Sequence, residues 1–528
     1  MTKKAIVEFE ARRLALQDKL DAEKNSAERN RMGQFATPSR LAAEILGYAK
    51  AQMDKREKVR FLDPAIGTGS FYSALIGVFP KTRIGAAVGY EIDTHYGAPA
   101  AQLWSDIGLD LRLEDFTHAQ PPEDADKFNL LICNPPYVRH HHITKREKQR
   151  LKSRVHNACG VEINGLAGLY CYFLGLSDVW MRGGGLAAWL IPSEFMDVNY
   201  GVSVKRYLLD KVTLLHIHRF DPNDVQFGDA LVSSTVVCFR KEWPPTGHEV
   251  RFTYGGSLLR PKQERSVPVE TLRGEPKWTR YPTKESNEAT KVAVLADFFT
   301  IKRGLATGNN KYFIMSPEEI ERRDLPMDAF KPILPSPRYL PDEEVKADKK
   351  GNPVLDRLLF LLDPPWTEHD IRVHYPKLWA YLQKGEAQGI AQGYLCRHRK
   401  PWYKQEDRPP APLLCTYLGR GDNKHGRPFR FILNNSRATA ANVYLLVYPK
   451  PPVERLLEDN PDLKRQVWEF LNQICPKTMI GEARVYGGGL HKLEPKELGN
   501  VPARFLQDLL PNAVSCGTIK QLGLFAHL

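Results

Sequence analysis

VRFLDPAIGTGSFYSALIGVFP, residues 59–80, changes its periodicity halfway along. Val59 to Asp63 is a short apolar run closed by a carboxylate, and from about Ser70 the pattern becomes helical. Between the two, Gly67 and Gly69 permit a tight turn that brings backbone N–H groups and the positive end of a helix close to a ligand. A strand, a glycine turn and a helix in that order predict the first unit of a parallel sheet covered by helices. A dinucleotide fingerprint would need a third glycine where Tyr72 stands, so a pyrophosphate is poorly served.

The same alternation runs outward on both sides. SRLAAEILGYAKAQM reads as a helix ahead of the first strand; GAAVGYEID, LRLEDF and FNLLICNPPY read as further strands, with helical stretches between them. Sheets of this kind bind ligands at the carboxyl ends of their strands, and here those ends carry Asp63, Glu91, Asp115 and Asn134. Glu91 can accept both hydroxyls of a ribose, and Asp115 can accept from an adenine amino group while Phe116 packs on the ring. Any one of these is equally well a generic turn. Four at consecutive strand ends point to a nucleoside with a small zwitterionic tail, which S-adenosylmethionine fits.

The fourth strand ends in LLICNPPYVRHHH, residues 130–142. Pro135 and Pro136 remove two backbone donors and fix two φ angles, so the ladder must stop at Asn134. A Pro-rich turn closing a strand is the plain alternative to a functional reading.

Size and charge set the frame. The 528 residues predict two to four cores, with 42% hydrophobic and 26% charged residues as in ordinary globular chains. No apolar run approaches the roughly 20 residues that cross a bilayer, and the charged N-terminal stretch lacks the apolar core of a signal peptide. The eight cysteines include no CxxC pair, which argues against a zinc ribbon and a disulfide scaffold and predicts a reducing compartment, the cytoplasm. The net charge of +13 is unevenly spread: 31 basic against 28 acidic residues up to Arg240, and 44 against 34 beyond it. A basic second half suits nucleic acid, an anionic membrane or simply a soluble surface.

The motifs together resemble the γ class of DNA adenine-N6 methyltransferases of bacterial restriction–modification systems. GQFATP (Gly33–Pro38) is similar to that family's motif X, DPAIGTGSF to motif I, GYEID to motif II, LEDF to motif III and NPPY to motif IV. FDPNDVQFGDALVSSTVVCFRK, residues 220–241, resembles motif VIII, with Phe227 at the aromatic position. Weaker similarity touches IKRGLATGNNKYF, FILNNSRATAANVYLLVYP and ARVYGGGLHKLEPKEL, which look like target-recognition segments of the same enzymes. The resemblance implies S-adenosylmethionine bound by Phe35, Thr37, Pro38, Asp63, Pro64, Ala65, Gly67, Gly69, Glu91, Ile92, Asp115, Phe116 and Asn134. It implies a catalytic pocket of Asn134, Pro135, Pro136, Tyr137 and Phe227.

The chemistry explains the odd turn. The exocyclic amine of adenine is a poor nucleophile because its lone pair is delocalised into the ring. Two acceptors taking its two N–H bonds align it and localise the lone pair, and the Asn134 side chain and Pro135 carbonyl, held rigid by the prolines, offer them. Tyr137 and Phe227 would sandwich a base swung out of the duplex, since a stacked base cannot be reached.

Other features have plainer readings. In LLFLLDPPW, ending at Trp366, a second proline turn lacks a preceding glycine-rich strand end and reads as a strand-to-turn element. The histidines His140–His142 would alternate on a strand and cannot converge on a metal, so no metal is expected. PDEEVK, residues 341–346, resembles a nuclease motif with its carboxylates too crowded, and the expectation is a methylase without its own nuclease. The basic stretch from Arg139 and Lys145 onward suits phosphate contact or a solvated helix. YLCRHRKPWYKQEDR, residues 394–408, interleaves bases with aromatics, as a nucleic-acid surface or a packed domain with a basic rim would. Candidate DNA contacts are Arg139, Lys145, Arg303, Lys311, Arg397, Arg399, Lys400, Lys404, Arg420, Lys424 and Lys492, with Gly487–Gly489 a turn where backbone can approach DNA.

The expected architecture is α/β: a doubly wound, mostly parallel Rossmann-like methyltransferase sheet followed by a mixed, β-rich DNA-recognition domain. Its expected divisions are an N-terminal helix (1–30), the methyltransferase domain (31–242), a linker region (243–298) and target recognition (299–528). The expected partner is double-stranded DNA, with a separately encoded restriction endonuclease and a monomeric state. The rival readings are a ribosomal RNA-base or protein-glutamine methyltransferase using the same turn, and a catalytically inactive DNA-binding specificity subunit.

Overall fold

The computed structural model describes residues 2–221, 234–283, 293–420, 427–486 and 489–510. The chain divides into two units, residues 1–286 with 486–489, and residues 287–485 with 490–528. In the first, the described strands are β1 (Val59–Asp63), β2 (Ile84–Tyr90), β3 (Asp110–Arg112), β4 (Phe128–Cys133), β5 (Met181–Pro192), β6 (Thr213–Arg219), β7 (Ser234–Arg240), β8 (Glu249–Gly256) and β9 (Pro261–Pro268). They form one sheet in the order β3-β2-β1-β4-β5-β7-β6-β8-β9. The β3-to-β5 half is parallel throughout, whereas β7 is antiparallel to both β5 and β6. The sheet is doubly wound, as the sequence pattern predicts.

All six residues of β4 are buried, and the pleat divides them between two cores. Leu130 and Ile132 join the cluster with Phe61, Leu75 and Trp104, while Leu131 and Cys133 join the opposite one with Tyr172 and Trp189. Helices α1 (Lys3–Ala22), α2 (Ser26–Met32), α3 (Ser39–Gln52), α4 (Ser70–Val78), α5 (Thr94–Trp104), α6 (Lys145–Cys159) and α7 (Leu169–Leu176) pack around this sheet. Leu41, Leu46 and Leu75 of α3 and α4 cover one face, and Leu151, Val155 and Phe173 of α6 and α7 the other. A strand buried on both sides has no polar face to show, which is why β4 reads as a continuous apolar run.

Three expectations are corrected here. The first unit does not end at residue 242: β8 and β9 extend its sheet, and the expected linker therefore carries structure up to the helix Val269–Gly274. The Pro-rich stretch after Arg240 is a loop within the unit, because Val250 and Phe252 bury their side chains in its core. The N-terminal helix is two helices, since Asn25 and Glu28 form a capping box that starts α2 anew. His140–His142 make a 3-10 turn and not a strand, because the paired prolines have already ended the ladder.

The second unit is β-rich. One five-stranded sheet joins Phe299–Arg303, Tyr444–Pro449, Leu413–Thr416, Phe431–Asn434 and Glu344–Val345, and a four-stranded sheet runs beside Leu305, Phe313 and Leu378. Asp363 of the second proline turn is paired with Lys331 at 2.7 Å, and Trp366 stacks on Tyr375 with ring centres 3.8 Å apart. Glu343 and Glu344 are bound by Arg427 and Arg465, so the nuclease-like stretch is a structural ion-pair network.

A buried histidine pair sets the acid stability of the first unit. His216 and His218 on β6 are inaccessible to solvent and share the hydroxyl of Thr253 on β8, at 2.7 and 2.8 Å. Burial holds both rings neutral, pulling His216 down to about 3 and His218 to about 4. Folded values below the unfolded one mean that protons bind the unfolded chain better. Stability is therefore complete above about pH 6.5 and falls as pH drops through the window towards 4, by on the order of a few kcal/mol. Asp63 acts in the opposite sense, its carboxyl being raised to about 8 by burial. Denaturant unfolding at pH 7.5 and pH 5 should show the loss, and the double variant His216→Leu/His218→Val should lose most of that slope. An unchanged slope would place the acid sensitivity elsewhere.

Candidate active site

Loops after β1, β2, β3 and β4 meet the α2–α3 connection around an open cleft. Of the residues expected to hold a cofactor, Phe35, Thr37, Asp63, Pro64, Ala65, Gly67, Glu91, Ile92, Asp115, Phe116 and Asn134 all line it. Pro38 and Gly69 stand behind the wall as the residues preceding α3 and α4. Gly69 has φ +93°, and a Cβ there would lie 2.5 Å from the Trp104 indole nitrogen, so the turn closes only with glycine.

The carboxylates are held by backbone. Glu91 accepts from the Gly67 N–H at 3.0 Å and the Asp93 N–H at 2.8 Å, which ties the end of β2 to the glycine turn. Burial raises its carboxyl above the ordinary range, and those two N–H groups oppose the rise. Asp63, 1% exposed, accepts from the Ala65 N–H at 3.1 Å. Burial lifts it furthest, against that hydrogen bond, and the neighbouring Glu91 adds to the rise. Asp115 caps its own turn through the Thr117 N–H at 2.8 Å. Phe116 is packed between Tyr90, Phe173 and Trp180, so its ring is fixed before any ligand arrives.

Asn134 is oriented by the segment resembling motif X. Its Nδ2 donates to the Phe35 carbonyl at 2.8 Å and to Thr37 Oγ1 at 3.1 Å. Both partners sit on the amide's nitrogen side, which leaves Oδ1 as the acceptor. Pro136 lines the cleft and Pro135 is buried. Tyr137 is 9% exposed; its hydroxyl donates to the Leu190 carbonyl at 3.0 Å and its ring lies 5.7 Å from Phe35. The backbone beneath is drawn in further, the Tyr137 N–H donating to the Gly33 carbonyl at 3.2 Å. Phe227 lies outside the described residues.

Sequence reading missed one wall. Gln17 and Asp21 of α1 line the cleft, and Tyr90, Tyr96, Thr68, Ser70 and Phe173 complete parts of it. Arg13, Gln17 and Asp21 repeat at i, i+4, i+8, a polar stripe that marks a helix face with partners. The cleft presents the carboxylates of Asp21, Asp63, Glu91, Glu114 and Asp115, and no Lys or Arg lines it among the described residues. Such a set of acceptors suits a cationic nucleoside and disfavours a phosphate. It fits S-adenosylmethionine, whose diol, adenine and ammonium groups all seek acceptors.

The expected DNA contacts divide. Arg139, Lys145, Arg303, Lys311, Arg397, Lys400 and Arg420 are exposed. Arg399 instead ties its loop to the Thr307 carbonyl at 2.9 Å and the Ala306 carbonyl at 2.5 Å, and Lys404 reaches the Pro364 carbonyl at 3.2 Å. Lys492 pairs with Glu494 at 2.8 Å. Arg399 and Lys492 are only partly exposed, while Lys404 stays exposed and also faces Asp363 at 3.4 Å. In the basic-aromatic stretch Tyr403 is buried and Trp402 packs against Tyr312 and Phe313, whereas Tyr394 is exposed with Arg397 over its ring. Lys424 and Gly487–Gly488 lie outside the described residues.

Residues 99–226 match the family model of the Eco57I restriction-modification methylase, and residues 280–515 match that of the Type II methyltransferase M.Eco57I C-terminal domain. The Type II methyltransferase M.XamI of Xanthomonas campestris pv. amaranthicola is 27% identical over 91% of this chain and 86% of its own. M.AccI of Acinetobacter calcoaceticus is 25% identical over 89% and 85%. Among solved structures, the Type IIL restriction-modification enzyme MmeI, in complex with DNA, aligns over 87% of this chain and 63% of its own, at 13% identity and a TM-score of 0.47. With family models matched in both halves of the chain and Type II methyltransferase relatives along about nine-tenths of it, the protein is a DNA methyltransferase of the restriction–modification type and uses S-adenosylmethionine.

Proposed function

We propose that this methyltransferase acts on the N6 amine of an adenine swung out of a specific duplex site, marking host DNA against a separately encoded restriction endonuclease. The observation that carries the adenine reading is the pinned carboxamide of Asn134: its nitrogen is already used by Phe35 and Thr37, so only an acceptor is offered to the substrate. An amine needs acceptors. S-adenosylmethionine supplies a methyl group activated by its sulfonium. Asn134 Oδ1 and the Pro135 carbonyl accept the two N–H bonds of the amine, aim its lone pair and hold the proton that must leave. Glu91 holds the ribose diol, while Asp115 and Phe116 hold the adenine of the cofactor. Tyr137 and Phe227 would take the faces of the flipped base, with Tyr137 already anchored on Leu190. The protein would act as a monomer in the cytoplasm; no described helix is long and apolar enough to cross a membrane.

Residues 287–510 would recognise the target through exposed cations such as Arg303, Lys311, Arg397, Lys400 and Arg420, so site-specific binding should fall steeply with salt while cofactor binding hardly changes. Incubating plasmid DNA with labelled cofactor and mapping modified bases tests the whole reading: N6-methyladenine at one sequence is expected. Label found instead on cytosine, on ribosomal RNA or on protein glutamine would replace it.

Glu91→Ala should weaken S-adenosylmethionine binding by about 10- to 100-fold, since it removes a charged acceptor of two hydroxyls and also frees the Gly67 turn. DNA affinity should stay within about twofold. Calorimetry giving an unchanged cofactor affinity would remove Glu91 from the ribose.

A further inference from the structure

The N-terminal helix reaches the cofactor cleft with one donor that the fold does not use. Gln17 of α1, 9% exposed, lines the cleft. Its Oε1 accepts from the Thr68 hydroxyl at 2.6 Å, and Thr68 in turn accepts from the buried Arg13 guanidinium at 3.2 Å. The amide is thereby fixed with its Nε2 on the other side, where it has no protein acceptor among the described residues.

What surrounds that donor suits an anion. Arg13 also donates to Ser39, which opens α3, while Thr68 precedes the start of α4 at Ser70. Both helices begin without a side-chain cap, behind Pro38 and Gly69. Two uncapped helix N-termini thus lie beside a pinned, nine-tenths buried amide donor. Glu10 pairs with Arg13 at 2.6 Å and accepts from the Ser39 hydroxyl, so the guanidinium supplies rigidity more than net charge and the start of α4 is the one left open. The charged groups in the rest of the lining are carboxylates, which favours this corner for a negative group.

We propose that Gln17 binds the carboxylate of the cofactor's amino-acid tail, making α1 part of the cofactor site. This rests on S-adenosylmethionine being the cofactor. Nε2 donates to the carboxylate, the start of α4 at Ser70 and Phe71, which line the cleft, lies beside its charge, and the opposite end of the tail is left to point its methyl group at Asn134.

The test uses the full-length protein and two ligands, S-adenosylmethionine and 5′-methylthioadenosine, which lacks the amino-acid tail. Gln17→Glu keeps the acceptor for Thr68 but turns the donor into a carboxylate oxygen. Calorimetry should show S-adenosylmethionine affinity down about tenfold or more, with 5′-methylthioadenosine affinity unchanged. Gln17→Met should show a smaller loss on the same ligand alone, and serves if the glutamate variant folds poorly. Equal losses for both ligands would assign Gln17 a purely structural role, and no loss for either would leave the tail elsewhere; each result overturns the proposal. Wild-type protein that bound neither ligand would refute the cofactor itself, a separable outcome.

Discussion

Replacing Asn134 with alanine is expected to cut methyl transfer by at least about 100-fold while leaving S-adenosylmethionine affinity within a few fold. The side chain offers one oriented acceptor, and that orientation is prepaid in the fold by bonds to Phe35 and Thr37. An acceptor of this kind stabilises the amine most as its nitrogen becomes tetrahedral, so its loss falls on the rate of the chemical step more than on binding. Alanine also leaves the Phe35 carbonyl without that donor, but the cofactor's main anchors on the β1 and β2 ends keep their own backbone partners. Single-turnover transfer of labelled methyl to a cognate duplex, beside calorimetry with the cofactor, separates the two effects. A variant retaining over about a tenth of the native rate would show that this turn is not catalytic.

Gly33→Ala should be nearly as damaging, although residue 33 has no side chain to offer a substrate. Its φ is +67°, and a Cβ there would lie 2.2 Å from the Tyr137 nitrogen and 2.7 Å from the Tyr137 carbonyl carbon. Those atoms are backbone and cannot swing aside, so either the α2 terminus or the Asn-Pro-Pro-Tyr turn must move. A displacement of about 1 Å in a catalytic turn costs on the order of 100-fold in rate. The expected signature is a kcat down by about that factor and a lowered melting temperature, since the left-handed conformation is also strained for alanine. Serine and alanine should be equally bad because the clash begins at Cβ. A Gly33→Ala enzyme with native kcat would mean that the segment around Gly33 does not support the turn.

The register of strand ends was legible in the sequence because a parallel sheet buried on both faces leaves little else to read. Apolar runs mark the strands, and the polar residues that close them must face the ligand. Asp63, Glu91, Asp115 and Asn134 therefore stood out before any coordinates, and all four line one cleft. The boundary of the first unit was not legible. β8 and β9 follow a Pro-rich stretch that looks like a linker, and only pairing with β6, far back in the chain, brings them into the sheet. Arg399 read as a fully exposed cation because charge says nothing about which carbonyl lies in reach. Composition and periodicity act over a few residues and so determined the sheet, the glycine turn and the proline turn. Which way the Asn134 amide points, and which helix closes the cleft, depended on contacts between residues 97 and 51 positions apart, and those exist only once the chain has folded.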